Sequence, residues 1–287
     1  MSTRTESRAE AAVSERPPRA VVAPPRHGPI MAIGGAEDKF DDKIILSTFV
    51  QLAGGRTARI AVVPTASSIE SAGERYKAIF LGLGAEQAQV VYLADRRAAD
   101  ADAAIEQMRD ATGIFLTGGN QLRLAAIVGG TRVMRLVLER NAAGAIVAGT
   151  SAGASILSSH MVAFGASGPT PRQRMANMVA GFGLVPGVIL DQHFRQRDRI
   201  GRLLALVASN PGLLGMGIDE DTAALFDPDG AAEVVGRHSV TIVDGSHMYS
   251  DVFQVKGHGN ITISGAVLHV LTPGHRFDLK TRHLLDD

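Results

Sequence analysis

The residues most directly suited to chemistry are Gly-Thr-Ser-Ala-Gly at positions 149–153. They follow the apolar run 145–148 and precede an apolar-periodic segment at 154–161. A G-x-S-x-G sequence between a strand and a helix bends the chain so sharply that the serine hydroxyl stands above the sheet. The next amide and the helix N-terminus then face a developing negative charge. The same residue types also form ordinary turns before helices. Ser151 is therefore predicted to be a nucleophile, provided that the chain also supplies a base and a carboxylate.

His193 is the histidine best placed to act as the base. Of the nine histidines, it lies just beyond the apolar run 188–190, in the sequence Asp-Gln-His-Phe at 191–194, and so at the end of a predicted strand. An imidazole at that place can take the proton of Ser151 and later return it to the leaving amine, if a carboxylate orients its other nitrogen.

That carboxylate is expected among three consecutive acids at 219–221, which follow the apolar stretch 213–218. Adjacent acids repel one another, so three in a row are usually solvated, bound to a cation or retained for a functional role. Glu220 is preferred and Asp219 is held in reserve, since the sequence alone does not separate them. The order serine, histidine, acid differs from the serine, acid, histidine order of α/β-hydrolases, which disfavours a lipase or an esterase.

Two backbone amides are expected to form the oxyanion hole. One belongs to Ala152, directly after the nucleophile, and the other to Gly119 in the loop Gly-Gly-Asn-Gln at 118–121. Glycine lets the main chain approach a tetrahedral oxygen closely because it has no Cβ.

Four arginines follow His193 within a few residues, namely Arg195, Arg197, Arg199 and Arg202. Guanidinium groups bind carboxylates through paired hydrogen bonds. The cluster therefore favours an acidic peptide as the substrate, although a basic first turn of an exposed helix would have the same composition.

An α/β fold must position these residues. From residue 30 onward, short β-rich runs alternate with amphipathic helical stretches as far as the helix expected after Ser151. This alternation predicts a doubly wound, mainly parallel sheet flanked by helices. The loops at 34–39, 64–68 and 117–121 fall where ligands bind in such sheets. Short apolar runs between 223 and 271 predict extra antiparallel strands toward the C-terminus.

The chain is predicted to comprise a tail and one domain. Residues 1–28 contain several arginines and prolines but no long apolar segment, which is typical of a disordered tail. Residues 29–287 are predicted to form a single α/β serine peptidase domain. Because the tail lacks the apolar core of a secretory signal and carries several glutamates, a cytoplasmic location is expected.

Composition limits the partners and the chemistry. Lys plus Arg and Asp plus Glu number 29 each, so no global field would attract nucleic acid or an anionic membrane, and neither is expected as a partner. The absence of cysteine excludes disulfides, thiolate metal sites and cysteine nucleophiles.

Taken together, four ordered motifs resemble those of cyanophycinases. This family of serine peptidases is related to the aspartyl dipeptidase called peptidase E, and its fold is akin to that of class I glutamine amidotransferases. The motifs are the loop 118–121, the segment 149–154, the block 191–203 and the stretch 217–223. The likeness extends from about residue 28 to the C-terminus.

The resemblance implies specific roles. Ser151 would be the nucleophile, His193 the base and Glu220 the orienting acid. The positions that match the substrate pocket are Gln121, Asp191, Gln192, Arg197 and Arg202. The implied substrate is cyanophycin, a poly-aspartate with arginine on each side-chain carboxyl, and the implied product is β-Asp-Arg. A homodimer without metal or organic cofactor is also implied.

Some questions stay open at the level of sequence. An α-aspartyl dipeptidase of the peptidase E type would use the same chemistry, and a non-catalytic binding module could retain the same fold. Residues 158–177 match no family motif and are candidates to shape one side of the substrate groove. The acid that would bind the substrate guanidinium is not identified, with Asp191, Glu37 and Asp38 as candidates by type and placement.

Overall fold

The computed structural model describes residues 27–285. The strands are β1 Ile30–Ile33, β2 Arg59–Val63, β3 Gln87–Val90, β4 Gly113–Leu116, β5 Ile146–Thr150, β6 His160–Gly165, β7 Ala176–Ala180, β8 Val188–Gln192, β9 Leu214–Ile218, β10 Thr222–Phe226, β11 Ala231–Gly236, β12 Val240–Asp244, β13 Tyr249–Ser250, β14 Ile263–Ser264, β15 Val267–Leu271, β16 Arg276–Asp278 and β17 His283–Leu285. The helices are α1 Ile44–Leu52, α2 Ala72–Gly82, α3 Arg96–Asp100, α4 Asp102–Met108, α5 Gln121–Val128, α6 Arg132–Ala142, α7 Ala152–Ser155 and α8 Ile200–Ser209, with 3₁₀ turns at Gly55–Thr57 and Arg195–Arg197.

A nine-stranded sheet forms the centre of the molecule, in the order β17-β16-β11-β10-β1-β5-β4-β2-β3. The five strands from β1 to β3 in that order are parallel, whereas β10, β11, β16 and β17 continue the sheet in antiparallel fashion. The predicted α/β class, with a mainly parallel sheet and antiparallel strands toward the C-terminus, is confirmed.

Alternate residues of the parallel strands pack on opposite faces, as the two-residue period of a strand requires. In β5, Ile146 and Ala148 face the core formed with α1 and α2. Val147 faces the other core, which α3 to α7 and a second sheet complete. Both faces of the inner parallel strands β1, β2, β4 and β5 are therefore covered, which is why these strands consist mostly of apolar residues.

The second sheet has four strands in the order β15-β12-β9-β8. Here β8 and β9 are parallel, while β12 is antiparallel to both of its neighbours. Helix α8 covers the outer face of this sheet, where its residues Leu203, Leu206 and Val207 pack against Ile189 and Val243. The chain passes directly from β9 in this sheet to β10 in the large sheet, through residues 219–221.

Two local predictions differ from the structure. The helix expected over 154–161 is the single turn α7, after which the chain enters β6. The apolar run 253–255, expected as a strand, lies in a turn, with Phe253 86% exposed. Short apolar runs do not distinguish a buried helix from a strand or a loop.

Residues 158–177, which match no family motif, contain β6 and the start of β7, and these two strands pair as an antiparallel hairpin.

The predicted tail, residues 1–28, lies outside the described residues except for its last two. Gly28 is attached to the domain, because its N–H donates to the carbonyl of Asn141 at 2.7 Å and its carbonyl accepts from the Asn141 side chain at 2.9 Å. No helix within residues 27–285 combines the length and apolar content needed to cross a membrane.

Candidate active site

Ser151 occupies the sharp turn between β5 and α7, with φ of 53° and ψ of −111°. The flanking glycines are required by close packing rather than by flexibility. A methyl group on Gly149 would lie 2.1 Å from the carbonyl oxygen of Gly153, and one on Gly153 would lie 2.2 Å from that of Leu116. The G-x-S-x-G spacing thus reflects a helix that starts directly against the ends of β5 and β4.

The structure brings Ser151, His193 and Glu220 together in one hydrogen-bonded row. Ser151 Oγ lies 2.9 Å from Nε2 of His193, and Nδ1 of the same ring lies 2.6 Å from Oε1 of Glu220. Ser151 follows β5 of the large sheet, His193 follows β8 of the second sheet, and Glu220 lies in the connection between the sheets. The arrangement is that of a nucleophile, a general base and an orienting acid.

The three consecutive acids have separate partners. Asp219, the reserve candidate, is 1% exposed and accepts hydrogen bonds from the backbone N–H of Arg195 at 3.0 Å and from Ser239 Oγ at 2.9 Å. Asp221 pairs with Arg237 at 3.1 Å. Of the three, only Glu220 contacts His193. Because each acid has its own partner, the repulsion among the three is offset.

The environment of His193 keeps its imidazole neutral. Burial is the largest influence and lowers its pKa below the ordinary 6.5. The hydrogen bond to Glu220 raises the pKa, whereas the charges of Arg197 and Arg199 lower it further. A neutral imidazole is the form that can accept the serine proton.

Gly35, at the end of β1, was missed by the sequence reasoning as a site residue. Its φ is +97°, and a methyl group built on it would lie 2.3 Å from Cε1 of His193. The preceding Gly34 accepts a hydrogen bond from the N–H of His193 at 2.8 Å. The Gly-Gly pair after an apolar strand was the available signal, because such pairs mark places where another backbone or a ring approaches closely.

The loop 118–121 lies beside the nucleophile, as the oxyanion prediction requires. A methyl group on Gly118 would lie 3.3 Å from Cβ of Ser151, and Asn120 anchors the loop by donating from its N–H to the carbonyl of Ala66 at 2.8 Å. Within residues 27–285, the N–H groups of Gly119 and Ala152 donate no hydrogen bond to another group. Both N–H groups are thus available to donate to a ligand.

Three of the residues predicted to line the substrate pocket are buried, namely Asp191, Gln192 and Arg202. Arg202 binds Asp191 directly, and Arg199 links Asp191 to Gln192. Arg202 donates from Nε and a terminal nitrogen to the two carboxylate oxygens of Asp191, the first at 2.6 Å. Arg199 donates to Asp191 at 3.3 Å and to the side-chain oxygen of Gln192 at 3.1 Å. Burial lowers the pKa of Arg199 to about 10.

The other two predicted pocket residues differ in exposure. Arg197 is exposed in the 3₁₀ turn that follows His193. Gln121 is half-buried at the start of α5 and donates from its amide to the carbonyls of Val162 and Ala163, the latter at 2.7 Å. Gln121 thereby ties the 118–121 loop to the β6–β7 hairpin.

Asp38 and Glu37, two of the candidates to bind the substrate guanidinium, already have partners within the chain. The carboxylate of Asp38 accepts hydrogen bonds from the N–H groups of Phe40, Asp41 and Lys43, and these bonds hold the pKa of Asp38 well below its usual range.

Glu37 is buried beneath the nucleophile. It accepts from Thr150 Oγ1 at 2.6 Å and from the Tyr76 hydroxyl, and Lys39 Nζ lies 3.0 Å away. This network was not apparent in the sequence, since its members come from β5, α2 and the loop after β1.

The chain is similar to known peptidases over most of its length. The family model described as peptidase family S51 matches residues 30–234. A curated protein of Trichormus variabilis named cyanophycinase is 41% identical over 259 residues, which cover 89% of this chain and 87% of that protein. A cyanophycinase of Geminocystis herdmanii is 41% identical over 255 residues, or 88% and 94% of the two chains.

Among solved structures, a peptidase from an acI-B1 Actinobacterium has the same fold. It superposes with a TM-score of 0.66 at 22% identity, covering 89% of this chain and 98% of that one. The chain therefore belongs to peptidase family S51 and is a serine-type peptidase.

Proposed function

We propose that the protein is a cyanophycinase that hydrolyses the poly-aspartate backbone of cyanophycin and releases β-Asp-Arg. The observation that carries the proposal is the hydrogen-bonded row of Ser151, His193 and Glu220. The curated relatives bearing that name support the choice of substrate.

In the acylation step, Ser151 Oγ attacks the carbonyl carbon of the backbone amide between two aspartates. His193 Nε2, 2.9 Å away, takes the hydroxyl proton, while Glu220 stabilises the imidazolium through Nδ1–H. The N–H groups of Gly119 and Ala152 donate to the tetrahedral oxyanion. The C–N bond then breaks as His193 returns the proton to the leaving amine, which leaves an acyl-enzyme on Ser151.

Water completes the turnover. His193, neutral again, takes a proton from the water that attacks the ester carbonyl, and the second tetrahedral oxyanion occupies the same donors. Its collapse breaks the bond to Ser151 Oγ, and His193 gives the proton back to the serine. No group other than these side chains and amides is used.

For substrate recognition we propose two tiers. Arg197 and Gln121 face the substrate, with Arg197 pairing a carboxylate of the repeating unit. Asp191, Gln192 and Arg202 shape the pocket from below, because their network with Arg199 fixes the loop that carries His193 and Arg197.

The test is to incubate the purified protein and its Ser151→Ala variant with cyanophycin granules and, separately, with the dipeptide α-Asp-Leu, and to identify soluble products by mass. Release of β-Asp-Arg by the wild type alone is the expected result. Hydrolysis of the dipeptide alone would reassign the protein as an α-aspartyl dipeptidase. Inactivity toward both substrates, or an unaltered rate in the variant, would favour a binding module or a different nucleophile.

We further propose that the protein forms a homodimer, works in the cytoplasm and folds as one domain from residue 29 onward. The edge strand β15 supports the first of these proposals. It exposes Val267, Leu268 and Val270 to 44%, 53% and 65%, and an uncovered apolar edge strand readily pairs with another chain.

A further inference from the structure

Two neighbouring cavities lie over the carboxyl ends of β4, β2 and β3, next to the turn that carries Ser151. The first, called the near part, is a cavity of about 300 Å³ that Lys39, Arg75 and Gly118 help to line. Gly118 brings this cavity to the nucleophile, since a methyl group on it would lie 3.3 Å from Ser151 Cβ. The near part thus lies beside the turn that carries Ser151.

The far part is a cavity of about 630 Å³ that Tyr92 and Arg123 help to line. The two cavities adjoin at Ser67 and Ile69, which line both of them, and together they are here called the β2–β3 groove. Volumes of this size are typical of ligand clefts. None of the residues assigned a role under the proposed function lies in the far part.

The groove exposes large apolar side chains next to unpaired charges. Ile69 is 66% exposed and Tyr92 is 58% exposed. Within residues 27–285, the guanidinium groups of Arg75 and Arg123 form no ion pair, although Arg123 donates one hydrogen bond to the carbonyl of Ser67 at 3.2 Å. Glu70, also on the far part, is likewise without an ion pair in the described chain.

A buried hydroxyl in the far part also lacks a partner. Thr65 is 4% exposed and lines the cavity, and its Oγ1 makes no hydrogen bond within residues 27–285. Buried polar atoms are nearly always satisfied, and leaving one unpaired costs about 1–3 kcal/mol. Because this oxygen is itself buried, the groups of the far part that a ligand can reach are the exposed side chains described above.

The chemistry of the groove matches a repeating unit that carries both signs of charge. Each unit of the polymer named above presents the α-carboxylate and the guanidinium of one arginine. Arginine side chains bind such a carboxylate through paired hydrogen bonds. A carboxylate such as Glu70 accepts from the guanidinium, and an aromatic face such as Tyr92 stacks on it.

We propose that the β2–β3 groove binds the β-Asp-Arg units that follow one another on one side of the scissile bond. Arg75 binds the carboxylate of the nearer unit and Arg123 that of the farther one. This inference rests on the proposed function, and it makes both arginines specificity-determining residues for chain length.

The test compares kcat and KM on synthetic oligomers of two and four β-Asp-Arg units. The variants are Arg75→Gln and Arg123→Gln, with Arg56→Gln as the control, because Arg56 is exposed and precedes β2 at the opposite end of the sheet. Loss of one charge-assisted contact is expected to raise KM for the four-unit oligomer about tenfold. We expect kcat to stay within about twofold, and Arg123→Gln to spare the two-unit oligomer.

If the wild type releases β-Asp-Arg but Arg75→Gln and Arg123→Gln have the same KM as the Arg56→Gln control, the groove proposal is overturned. A loss in Arg123→Gln that is the same for both oligomers would also contradict it, since the effect would then not depend on length. If the wild type cleaves neither oligomer nor the polymer, the proposed function fails instead. Unchanged thermal unfolding of the variants shows that they are folded.

Discussion

Glu220 and Asp219 are neighbours in the chain with different surroundings, and this difference separates catalysis from stability. The Glu220 side chain is 34% exposed and contacts His193, whereas that of Asp219 is 2% exposed and joins the segment after His193 to Ser239. A carboxylate that only orients an imidazole contributes to kcat. A buried carboxylate that holds two segments together contributes to the free energy of unfolding.

We expect Glu220→Gln to lower kcat by about 10²- to 10⁴-fold, because the amide no longer stabilises the imidazolium, with little change in thermal stability. Asp219→Asn should instead destabilise the fold by about 1–3 kcal/mol, since it removes a charged acceptor from buried donors. Steady-state kinetics and urea unfolding of both variants check the pair. A large kcat loss in Asp219→Asn with Glu220→Gln fully active would reverse the assignment.

His193 sets the pH dependence. Burial lowers its pKa below 6.5, and the base works only when neutral, so kcat/KM should fall on the acid side at a pH below 6.5. Arg197→Gln removes a positive charge that disfavours protonation, and it should therefore move this acid limb to higher pH. Arg195→Gln, in the same 3₁₀ turn, is the control and should leave the limb in place. A limb unmoved in Arg197→Gln would contradict the electrostatic reading.

At the scale of elements, close packing of the end of β1 against the end of β8 decides where the imidazole lies. The end of β1 lies against the His193 ring. It is also bonded to the end of β8, because the N–H of His193 donates to the carbonyl of Gly34. The position of Gly35 therefore fixes where the ring can sit.

Gly35→Ala is expected to reduce kcat by about 100-fold or more, because the new methyl group occupies the place of the ring and displaces the base. Gly84→Ala is a matched control, with φ of +94° and nothing within 4 Å of the added methyl group. Both changes carry the strain of a positive φ, about 1–3 kcal/mol. Only Gly35→Ala should lose activity at a temperature where both variants are folded. Equal activity losses would show that strain alone is responsible.

The elements were predictable because their cause is local. The alternation of β-rich and helical segments identified the parallel sheet, and the apolar runs 145–148 and 188–190 placed Ser151 and His193 near strand ends. The partners of these residues were not predictable. The choice among three acids and the approach of Gly35 depend on how the two sheets dock. The pairing of Asp191 with Arg202 depends on how α8 packs against the second sheet. Nothing in the local sequence encodes that docking or that packing.

At the scale of the molecule, the exposed edge strand β15 bears on assembly. We expect a native mass of twice 30.1 kDa, measured by sedimentation. A double variant, Leu268→Lys with Val270→Lys, should sediment as a monomer, because charges on an edge strand prevent strand pairing. Leu81→Lys, at a 42% exposed site on α2, is the control. A monomeric wild type would contradict the homodimer, and a dimeric double variant would place its interface elsewhere.

The row of Ser151, His193 and Glu220 draws one residue from each sheet and one from the connection between them, and this has a consequence for how activity is acquired during folding. Each sheet can gain its own hydrogen bonds without the other, but neither alone holds a nucleophile beside a base. Hydrolysis can therefore begin only after the two sheets have docked. The recovery of enzymatic activity therefore reports the docking of the two sheets. During refolding, activity should lag behind the recovery of secondary structure.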